Sequence, residues 1–338
     1  MEEFSQENAP VLVTGATGFV GNALVERMIK EGLRVRAYVR NLDKASHLEK
    51  KGVELFRGDF SDLTRLEEAT IGTRLIYHLG ELPTVGNKNR RHNVELVGRV
   101  IGRAAHHPRQ RLVFVSSLSV AGIPSVTPAT EDTPPARELD DPYTAYKRQA
   151  ERLIRSAFME DRLDFVIVRP ALVYGPGSRH LRGLISWLER YGRYGVPFVG
   201  KGDNIVPLVH IEDLIRLLIR VGADPKAGAK IINAVDDSRV TVREFLMRIG
   251  QQLGKVIKIR PLPKTIVRLA AIPVDALGEL IGLPFGIGGL LEFLSSDAVF
   301  SNVRMKARME GTLQYPTLME GLPTLIEWYK MQKQEHGH

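Results

Sequence analysis

A glycine-rich stretch directly after an apolar run constrains the fold of this chain more than any other feature. Residues 11–14 read Val-Leu-Val-Thr, and Gly15, Gly18 and Gly21 follow at the spacing G-x-x-G-x-x-G. Apolar residues three and four apart continue over 23–31, which indicates a helix. Glycines let the backbone approach an anion closely, and the first N–H groups of a helix bind pyrophosphate well. The stretch therefore predicts a strand, a tight turn and a helix that bind a dinucleotide, although the common motif is G-x-G-x-x-G.

Length and composition exclude several classes of protein. The chain has 338 residues, 43% of them hydrophobic, which suffices for about two domains. It contains no cysteine, which excludes disulfides and thiol nucleophiles and fits the cytoplasm. The N-terminus has no apolar leader, and the most apolar uncharged run, 280–291, is too short to span a bilayer. No histidine pattern predicts a metal site.

The net charge of +8 includes a cluster of arginines over 90–111. Such a cluster suits nucleic acid or acidic lipid. No aromatic residues are interleaved with it, so a solvated helix face and loop is the favoured interpretation. We therefore expect no nucleic-acid partner and leave peripheral membrane contact open.

Strands and helices alternate along most of the chain. Predicted strands cover 11–14, 34–40, 53–59, 75–79, 112–117, 164–170, 206–210 and 230–235. Alternation of this kind is typical of an α/β protein with a Rossmann-type doubly wound parallel sheet. The region from Lys255 onward is mostly helical, which indicates a smaller C-terminal substrate domain.

The same pattern divides the chain into two predicted domains. A cofactor domain covers 9–174 plus 205–236, and a substrate-binding region covers 175–204 plus 237–332. Within the latter, the apolar stretch 266–294 has the composition either of a substrate lid or of short packed core helices. The segments 122–141 and 195–201 are interpreted as loops, the second because its G-x-x-x-x-G-K lacks the following Ser or Thr of a phosphate loop.

Residues after the second and third strands indicate which cofactor binds. Arg40 stands where an NAD-binding protein carries an acidic residue for the ribose, and Lys44 follows closely. A guanidinium pairs with a 2′-phosphate, so NADP(H) is favoured over NAD(H) unless Arg40 is an ordinary surface residue. Asp59, at the end of the third strand, is placed to accept a hydrogen bond from an adenine amino group.

Tyr143 and Lys147 lie four residues apart on one face of a predicted helix. A phenol with its ordinary pKa is a poor base at neutral pH, and a nearby ammonium favours the phenolate. Tyr143 can then exchange a proton with a substrate oxygen that Ser117 holds. Tyr329 and Lys333 repeat the spacing, but no strand-end serine precedes them, so we interpret that pair as surface residues.

Short motifs follow one another along most of the chain in a characteristic order. They are 14–21, Gly58-Asp59, His78-Leu79, Asn93-Val94, Ser116-Ser117, Tyr143 with Lys147, Arg169-Pro170, 173–177 and 209–213. In this order they resemble the extended short-chain dehydrogenase/reductase superfamily, often labelled the NAD-dependent epimerase/dehydratase family.

The resemblance implies roles for individual residues. Tyr143 would be the acid/base, Lys147 would lower its pKa and bind the ribose, Ser117 would hold the substrate oxygen, and Asp59 would bind adenine. It also implies a homodimer through helices near 93–107 and 143–158. The full predicted cofactor-binding set is Gly15, Thr17, Gly18, Phe19, Val20, Gly21, Arg40, Lys44, Asp59, Phe60, Leu79, Gly80, Ser116, Tyr143, Lys147, Pro170 and Val173.

Departures from the family pattern narrow the chemistry. Leu118-Ser119 replaces an Asp-Glu pair of the dehydratases, and 205–207 lacks an arginine that epimerases often carry. Gly80-Glu81 replaces the usual two small apolar residues and places an unexplained carboxylate near the cofactor. The chain is more similar to the hydroxysteroid dehydrogenase and dihydroflavonol reductase branches.

Three hypotheses follow from these residues. The first is an NADP(H)-dependent oxidoreductase that interconverts a carbonyl and a secondary alcohol on a largely apolar small molecule. The second is an NAD-dependent nucleotide-sugar epimerase. The third is a binding protein that senses the cofactor without catalysis.

Overall fold

Two groups of residues form separate compact units. The computed structural model describes residues 9–60, 62–82, 89–105, 110–159, 163–199, 201–262 and 298–335. The described residues of 1–120, 142–169 and 215–232 form the first unit, and those of 121–141, 170–214 and 233–338 form the second. Assigning cofactor binding to one part of the chain and substrate binding to another stays a prediction, and the stretch 266–294 lies outside the described residues.

Thirteen strands and ten α-helices are defined within these ranges. The strands are β1 Val11–Thr14, β2 Val35–Val39, β3 Glu54–Arg57, β4 Leu75–His78, β5 Arg111–Val115, β6 Ile123–Pro124, β7 Pro135–Arg137, β8 Asp164–Pro170, β9 Leu172–Tyr174, β10 Val196–Val199, β11 Leu208–His210, β12 Lys230–Ala234 and β13 Ile259–Leu262. The α-helices are α1 Phe19–Lys30, α2 Leu42–Glu49, α3 Leu63–Thr70, α4 Arg90–Ala105, α5 Pro142–Met159, α6 Arg179–Tyr191, α7 Ile211–Ala223, α8 Val242–Gln252, α9 Val303–Arg308 and α10 Leu318–Glu335.

A seven-stranded sheet confirms the predicted fold class. Its strand order is β12-β8-β5-β4-β1-β2-β3, and the pairs from β8 through β3 are parallel. The order reverses between β1 and β4, and ligands of such sheets bind beyond the carboxyl ends of the strands at that point. Gly15 directly follows β1, and Gly80 is the second residue after β4, so both lie at the expected binding edge.

The first unit has a continuous apolar core on one face of this sheet. Side chains from α3, α4 and α5 pack there against alternate strand residues, as in the contacts of Tyr146 and Ile154 with the cluster containing Leu12 and Phe114. Helix α1 buries Leu24 fully. Asp62 caps α3 by accepting from the backbone N–H of Arg65, three residues further along the chain.

The second unit differs from the sequence prediction in two places. Strand β11 pairs with β9 in a separate two-stranded sheet. The prediction that 206–210 joins the main sheet was therefore wrong. The segments interpreted as loops contain short strands, since β6 pairs with β7 and β10 pairs with β13. The pairings of β9 with β11 and of β10 with β13 join segments distant in the chain, which a local pattern does not reveal.

The second Tyr-x-x-x-Lys pair is structural, and our interpretation of Tyr329 as a surface residue was wrong. Tyr329 is only 5% exposed and packs in the apolar core of the second unit. Its hydroxyl donates to Glu189 Oε2 at 2.7 Å, and Lys333 Nζ donates to Glu189 Oε1 at 3.0 Å. The pair therefore fastens α10 to α6 through one glutamate.

The described ranges contain no helix that is long and apolar enough to cross a membrane. No group of three or more His, Asp or Glu side chains within them is arranged to hold a metal ion.

Candidate active site at the carboxyl edge of the sheet

The glycine-rich turn is packed so tightly that side chains are excluded from it. Gly15 has a φ of +73°, and the Gly18 N–H donates to the Gly15 carbonyl at 2.9 Å. A Cβ on Gly15 would stand 2.8 Å from Gly80 N, and a Cβ on Gly21 would stand 2.1 Å from Gly15 O. Helix α1 starts after Gly18, with no acidic residue in its first turn. The helix N-terminus therefore keeps N–H groups and a positive dipole end for an anion.

This packing predicts opposite outcomes for two glycine-to-alanine substitutions. Gly21→Ala should lower the free energy of unfolding by about 1–3 kcal/mol, because its methyl group collides with backbone. Gly98→Ala, inside α4 with open space around the new methyl, should raise it by about 0.5–1 kcal/mol. Denaturant titration of both variants checks this, and equal stabilities would contradict the tight turn.

The segment that follows β4 is held on two sides. Thr14 Oγ1 accepts from the backbone N–H of Leu79 at 3.2 Å and of Gly80 at 3.0 Å. On the other side, Asn93 of α4 accepts from Leu82 N at 2.9 Å and donates to Leu82 O at 2.8 Å. The buried Asn93 thus explains the Asn-Val motif as a backbone clamp. Residues 79–82 are fixed relative to the glycine turn.

His78, beneath this segment, acts as a neutral structural group. Its Nδ1 lies 2.9 Å from Thr14 Oγ1, and its ring is 1% exposed. Burial, with a smaller contribution from the Lys147 ammonium, lowers the pKa of His78 to about 3. The side chain therefore stays uncharged at neutral pH and orients Thr14.

Arg40 and Lys44 are both exposed beyond the carboxyl end of β2. Arg40 directly follows the strand, and Lys44 lies in the first turn of α2, capped by Asn41. Asp59 is half-buried, and its carbonyl accepts from the Tyr38 hydroxyl at 2.8 Å. Phe60 stacks on Tyr38, with ring centroids 5.6 Å apart. These four predicted cofactor residues follow neighbouring strands at the same edge of the sheet.

The predicted catalytic residues are brought together within the first unit. Tyr143 lies in the first turn of α5, and Lys147 Nζ lies 5.6 Å from the Tyr143 ring centroid. Lys147 is 3% exposed and donates to Val115 O, at the end of β5, at 2.9 Å. Ser117 follows the same strand two residues later. Strand β5 therefore positions both the lysine and the serine.

A chain of hydroxyl groups orients Ser117. Ser117 Oγ lies 2.9 Å from Ser119 Oγ, and Thr144 donates to Ser119 Oγ at 2.9 Å. Thr144 directly follows Tyr143 on α5. Ser119, which replaces a carboxylate of the dehydratases, is thus a supporting residue that sequence reasoning missed.

Lys147 has a partner that sequence reasoning did not predict. Glu81 Oε2 lies 2.7 Å from Lys147 Nζ, and the two side chains are 20% and 4% exposed. Burial, reinforced by Glu81, raises the pKa of Tyr146 well above its ordinary value. The unusual Gly80-Glu81 thus places a carboxylate in direct contact with the predicted catalytic lysine.

Ser116 belongs to a buried ionic network. Its hydroxyl donates to Glu151 Oε1 at 2.6 Å, and Arg169 forms a two-pronged pair with the same carboxylate at 2.9 and 2.6 Å. The network joins β5, α5 and β8. A cofactor role for Ser116 stays a prediction.

The other predicted residues fall into two groups. Thr17 and Gly18 are exposed on the turn, and Phe19 and Val20 begin α1. Pro170 ends β8, and Val173 pairs with Val209 in the second unit.

One member of the arginine cluster differs from the predicted solvated face. Arg111 is bound to Asp164 at 2.7 Å, and this ion pair joins β5 to β8.

Comparisons with known proteins show the family to which the chain belongs. The model of the NAD dependent epimerase/dehydratase family matches residues 11–234. A ceramide reductase of Caulobacter vibrioides is 28% identical over 323 residues, which cover 95% of this chain and 94% of the relative. A 2-alkyl-3-oxoalkanoate reductase of Stenotrophomonas maltophilia is 31% identical over 209 residues, which cover 60% of this chain and 62% of the relative.

A solved structure extends the similarity to a nucleotide-sugar complex. MoeE5 in complex with UDP-glucose and NAD is 26% identical, with a TM-score of 0.74 over 96% of this chain and 99% of that chain. The family model covers more than half of the chain, and the fold and motifs agree with it. The chain belongs to the NAD-dependent epimerase/dehydratase family and is an enzyme of the extended short-chain dehydrogenase/reductase type.

Proposed function

We propose that this enzyme is an NADP(H)-dependent oxidoreductase that interconverts a carbonyl and a secondary alcohol on a largely apolar small molecule. The observation that carries the proposal is the placement of Ser117, Tyr143 and Lys147 at the ends of β5 and α5. A phenol beside an ammonium, with an oriented hydroxyl at the same strand end, suits proton exchange with a substrate oxygen.

Each residue has a defined task in this proposal. Ser117, held by Ser119, donates a hydrogen bond to the substrate oxygen, and Tyr143 transfers a proton to or from that oxygen. Lys147, fixed by Val115 O, sets the charge beside the phenol. When bound, a nicotinamide cofactor supplies or accepts the hydride.

The glycine turn fits the pyrophosphate of such a cofactor. Side chains at Gly15 and Gly21 would collide with backbone, so the main chain itself lines the cradle. The start of α1 adds N–H groups and a favourable dipole for an anion. Asp59 and Phe60 would then flank the adenine, and Lys147 would bind the ribose next to the nicotinamide.

Preference for NADP(H) is supported by the exposed cations Arg40 and Lys44. Arg40→Ala should weaken NADPH binding by about 10- to 100-fold and change NADH binding by less than about twofold, because a charge-assisted hydrogen bond contributes about 1.5–3 kcal/mol. Arg34→Ala is the matched control, since Arg34 precedes the opposite end of β2. Fluorescence titration with both cofactors measures this, and an equal loss for both would refute a 2′-phosphate contact.

An apolar substrate is supported by the relatives named as reductases. Ceramide and 2-alkyl-3-oxoalkanoates carry long apolar chains, and the ceramide reductase matches nearly the whole chain. Turnover of NADPH with a panel of long-chain ketones tests the proposal. Oxidation of NADPH by none of them, with cofactor binding intact, would contradict it.

A nucleotide-sugar epimerase is the second candidate, favoured by the similarity to the UDP-glucose complex of MoeE5. The nucleotide that copurifies with the protein separates the two functions. Epimerases regenerate their cofactor in each cycle and can retain it, whereas reductases must exchange it at every turnover. Stoichiometric NAD released on denaturation, together with binding of UDP-sugars, would favour the epimerase. A homodimer and a cytoplasmic location stay predictions.

A further inference from the structure

The contact between Glu81 and Lys147 changes the charge at the predicted active site. In the proposed reaction the Lys147 ammonium is the group that favours the phenolate of Tyr143. Here that ammonium already lies 2.7 Å from a carboxylate in a largely buried position. A paired ammonium favours a neighbouring phenolate less than a single positive charge does, because the two fields oppose each other.

Glu81 is held in this position by the surrounding backbone. Thr14 binds the N–H groups of Leu79 and Gly80, and Asn93 binds both backbone groups of Leu82. The residue thus lies between two anchored neighbours. Its carboxylate is a built part of the site rather than a solvated surface charge.

Four other charged or titratable groups among the described residues do not replace this effect. His78, from β4, stays neutral because burial lowers its pKa to about 3. Tyr146, from α5, stays protonated because burial raises its pKa. Arg169 of β8 and Glu151 of α5 neutralise each other at 2.6 Å.

Two further titratable groups lie on neighbouring segments. His92 of α4 lies 2.6 Å from the Phe60 carbonyl through its Nε2. Asp141 is half-buried just before α5 begins. Glu81 is the carboxylate placed in direct contact with the Lys147 ammonium.

We propose that Glu81 is a positioning residue that offsets the charge of Lys147 and thereby keeps Tyr143 protonated at neutral pH. A protonated phenol is the form that donates a proton to a carbonyl oxygen as hydride reaches the carbonyl carbon. The phenolate formed takes its proton back from water. With Glu81 paired to Lys147, Tyr143 therefore keeps its proton and acts as an acid up to a higher pH. This property suits carbonyl reduction. The role of Glu81 in carbonyl reduction rests on the proposed function. Its effect on the charge at Tyr143 does not, and the first experiment tests that effect alone.

That first test measures Tyr143 without any substrate. The ultraviolet absorbance of tyrosinate is titrated in the wild-type protein and in Tyr143→Phe, and their difference gives the pKa of Tyr143. The same pair of titrations is then run in the Glu81→Gln background. Loss of the negative charge should lower the Tyr143 pKa by about one unit, a tenfold change in the ratio of phenolate to phenol.

The control is Glu95→Gln, which makes the same change of side chain and net charge on the exposed face of α4. It should leave the Tyr143 pKa unchanged. Glu81→Asp keeps the charge and should stay closer to the wild type than Glu81→Gln. Should Glu81→Gln fail to fold, Glu81→Ala removes the same charge and gives the same comparison.

A second measurement uses activity. With NADPH and a reducible ketone, kcat/KM should fall at high pH as Tyr143 ionises, and this alkaline limb should move down by about one unit in Glu81→Gln. An unmoved Tyr143 pKa in the charge-removed variant would overturn the proposal, even with lower thermal stability. A lower pKa without ketone reduction would support the charge role and refute the proposed function instead.

Discussion

Tyr143→Phe should lower turnover by about 10²- to 10⁴-fold and leave cofactor binding nearly unchanged. The substitution removes only the hydroxyl that exchanges a proton with the substrate, and general acid–base catalysis contributes about that factor. The ring keeps its place 5.6 Å from Lys147 Nζ, so the local packing stays as it is. Steady-state turnover with NADPH and cofactor titration measure the two quantities separately.

The chain provides its own matched control for this experiment. Tyr329→Phe alters the second Tyr-x-x-x-Lys pair, whose hydroxyl binds Glu189 in the second unit. It should keep wild-type turnover and lower the free energy of unfolding by about 1 kcal/mol. Turnover of Tyr143→Phe within threefold of the wild type would remove Tyr143 from the reaction.

Arg169→Met should have the largest effect on stability, a loss of about 3–5 kcal/mol in the free energy of unfolding. Arg169 binds the Glu151 carboxylate at 2.6 Å, and the two side chains are only 10% and 4% exposed. Without the guanidinium, the carboxylate stays buried and keeps the hydrogen bond from the Ser116 hydroxyl. Leaving one charge buried without its partner costs far more than an exposed pair contributes.

A double variant distinguishes loss of charge pairing from loss of packing. Arg169→Met combined with Glu151→Met should recover most of the stability, because no uncompensated charge remains. Arg27→Met is the control, since its pair with Glu31 is about one third exposed on both sides and should cost less than about 1 kcal/mol. Denaturant unfolding measures all three, and a double variant no more stable than Arg169→Met would refute the explanation.

Local patterns in the chain were enough to predict the framework of the site. The apolar runs gave the strands of the sheet, and the glycine spacing gave the turn at Gly15, because both depend on neighbouring residues. Helical periodicity placed Tyr143 and Lys147 on one face of α5 in the same way. The cap of α3 by Asp62 is equally local.

Partners from distant segments were not predictable. The sequence marks Glu81 as unusual, but only the packing of the β4 end against α5 brings its carboxylate to Lys147. The role of Asn93 as a clamp on Leu82 is likewise a product of packing. The same holds for Tyr329 and Lys333, which have the spacing of Tyr143 and Lys147. Their side chains bind Glu189 and do not form a second active site.

The amino-acid sequence alone thus determined the fold class, the glycine turn and the helix that carries Tyr143 and Lys147, because periodicity and turn geometry act over a few residues. The tertiary structure decided which charges meet. It paired the Glu81 carboxylate with the Lys147 ammonium and the Glu151 carboxylate with the Arg169 guanidinium. It also paired β11 with β9 instead of with the main sheet. Such contacts depend on how segments far apart in the chain pack together, and burial is what makes them strong.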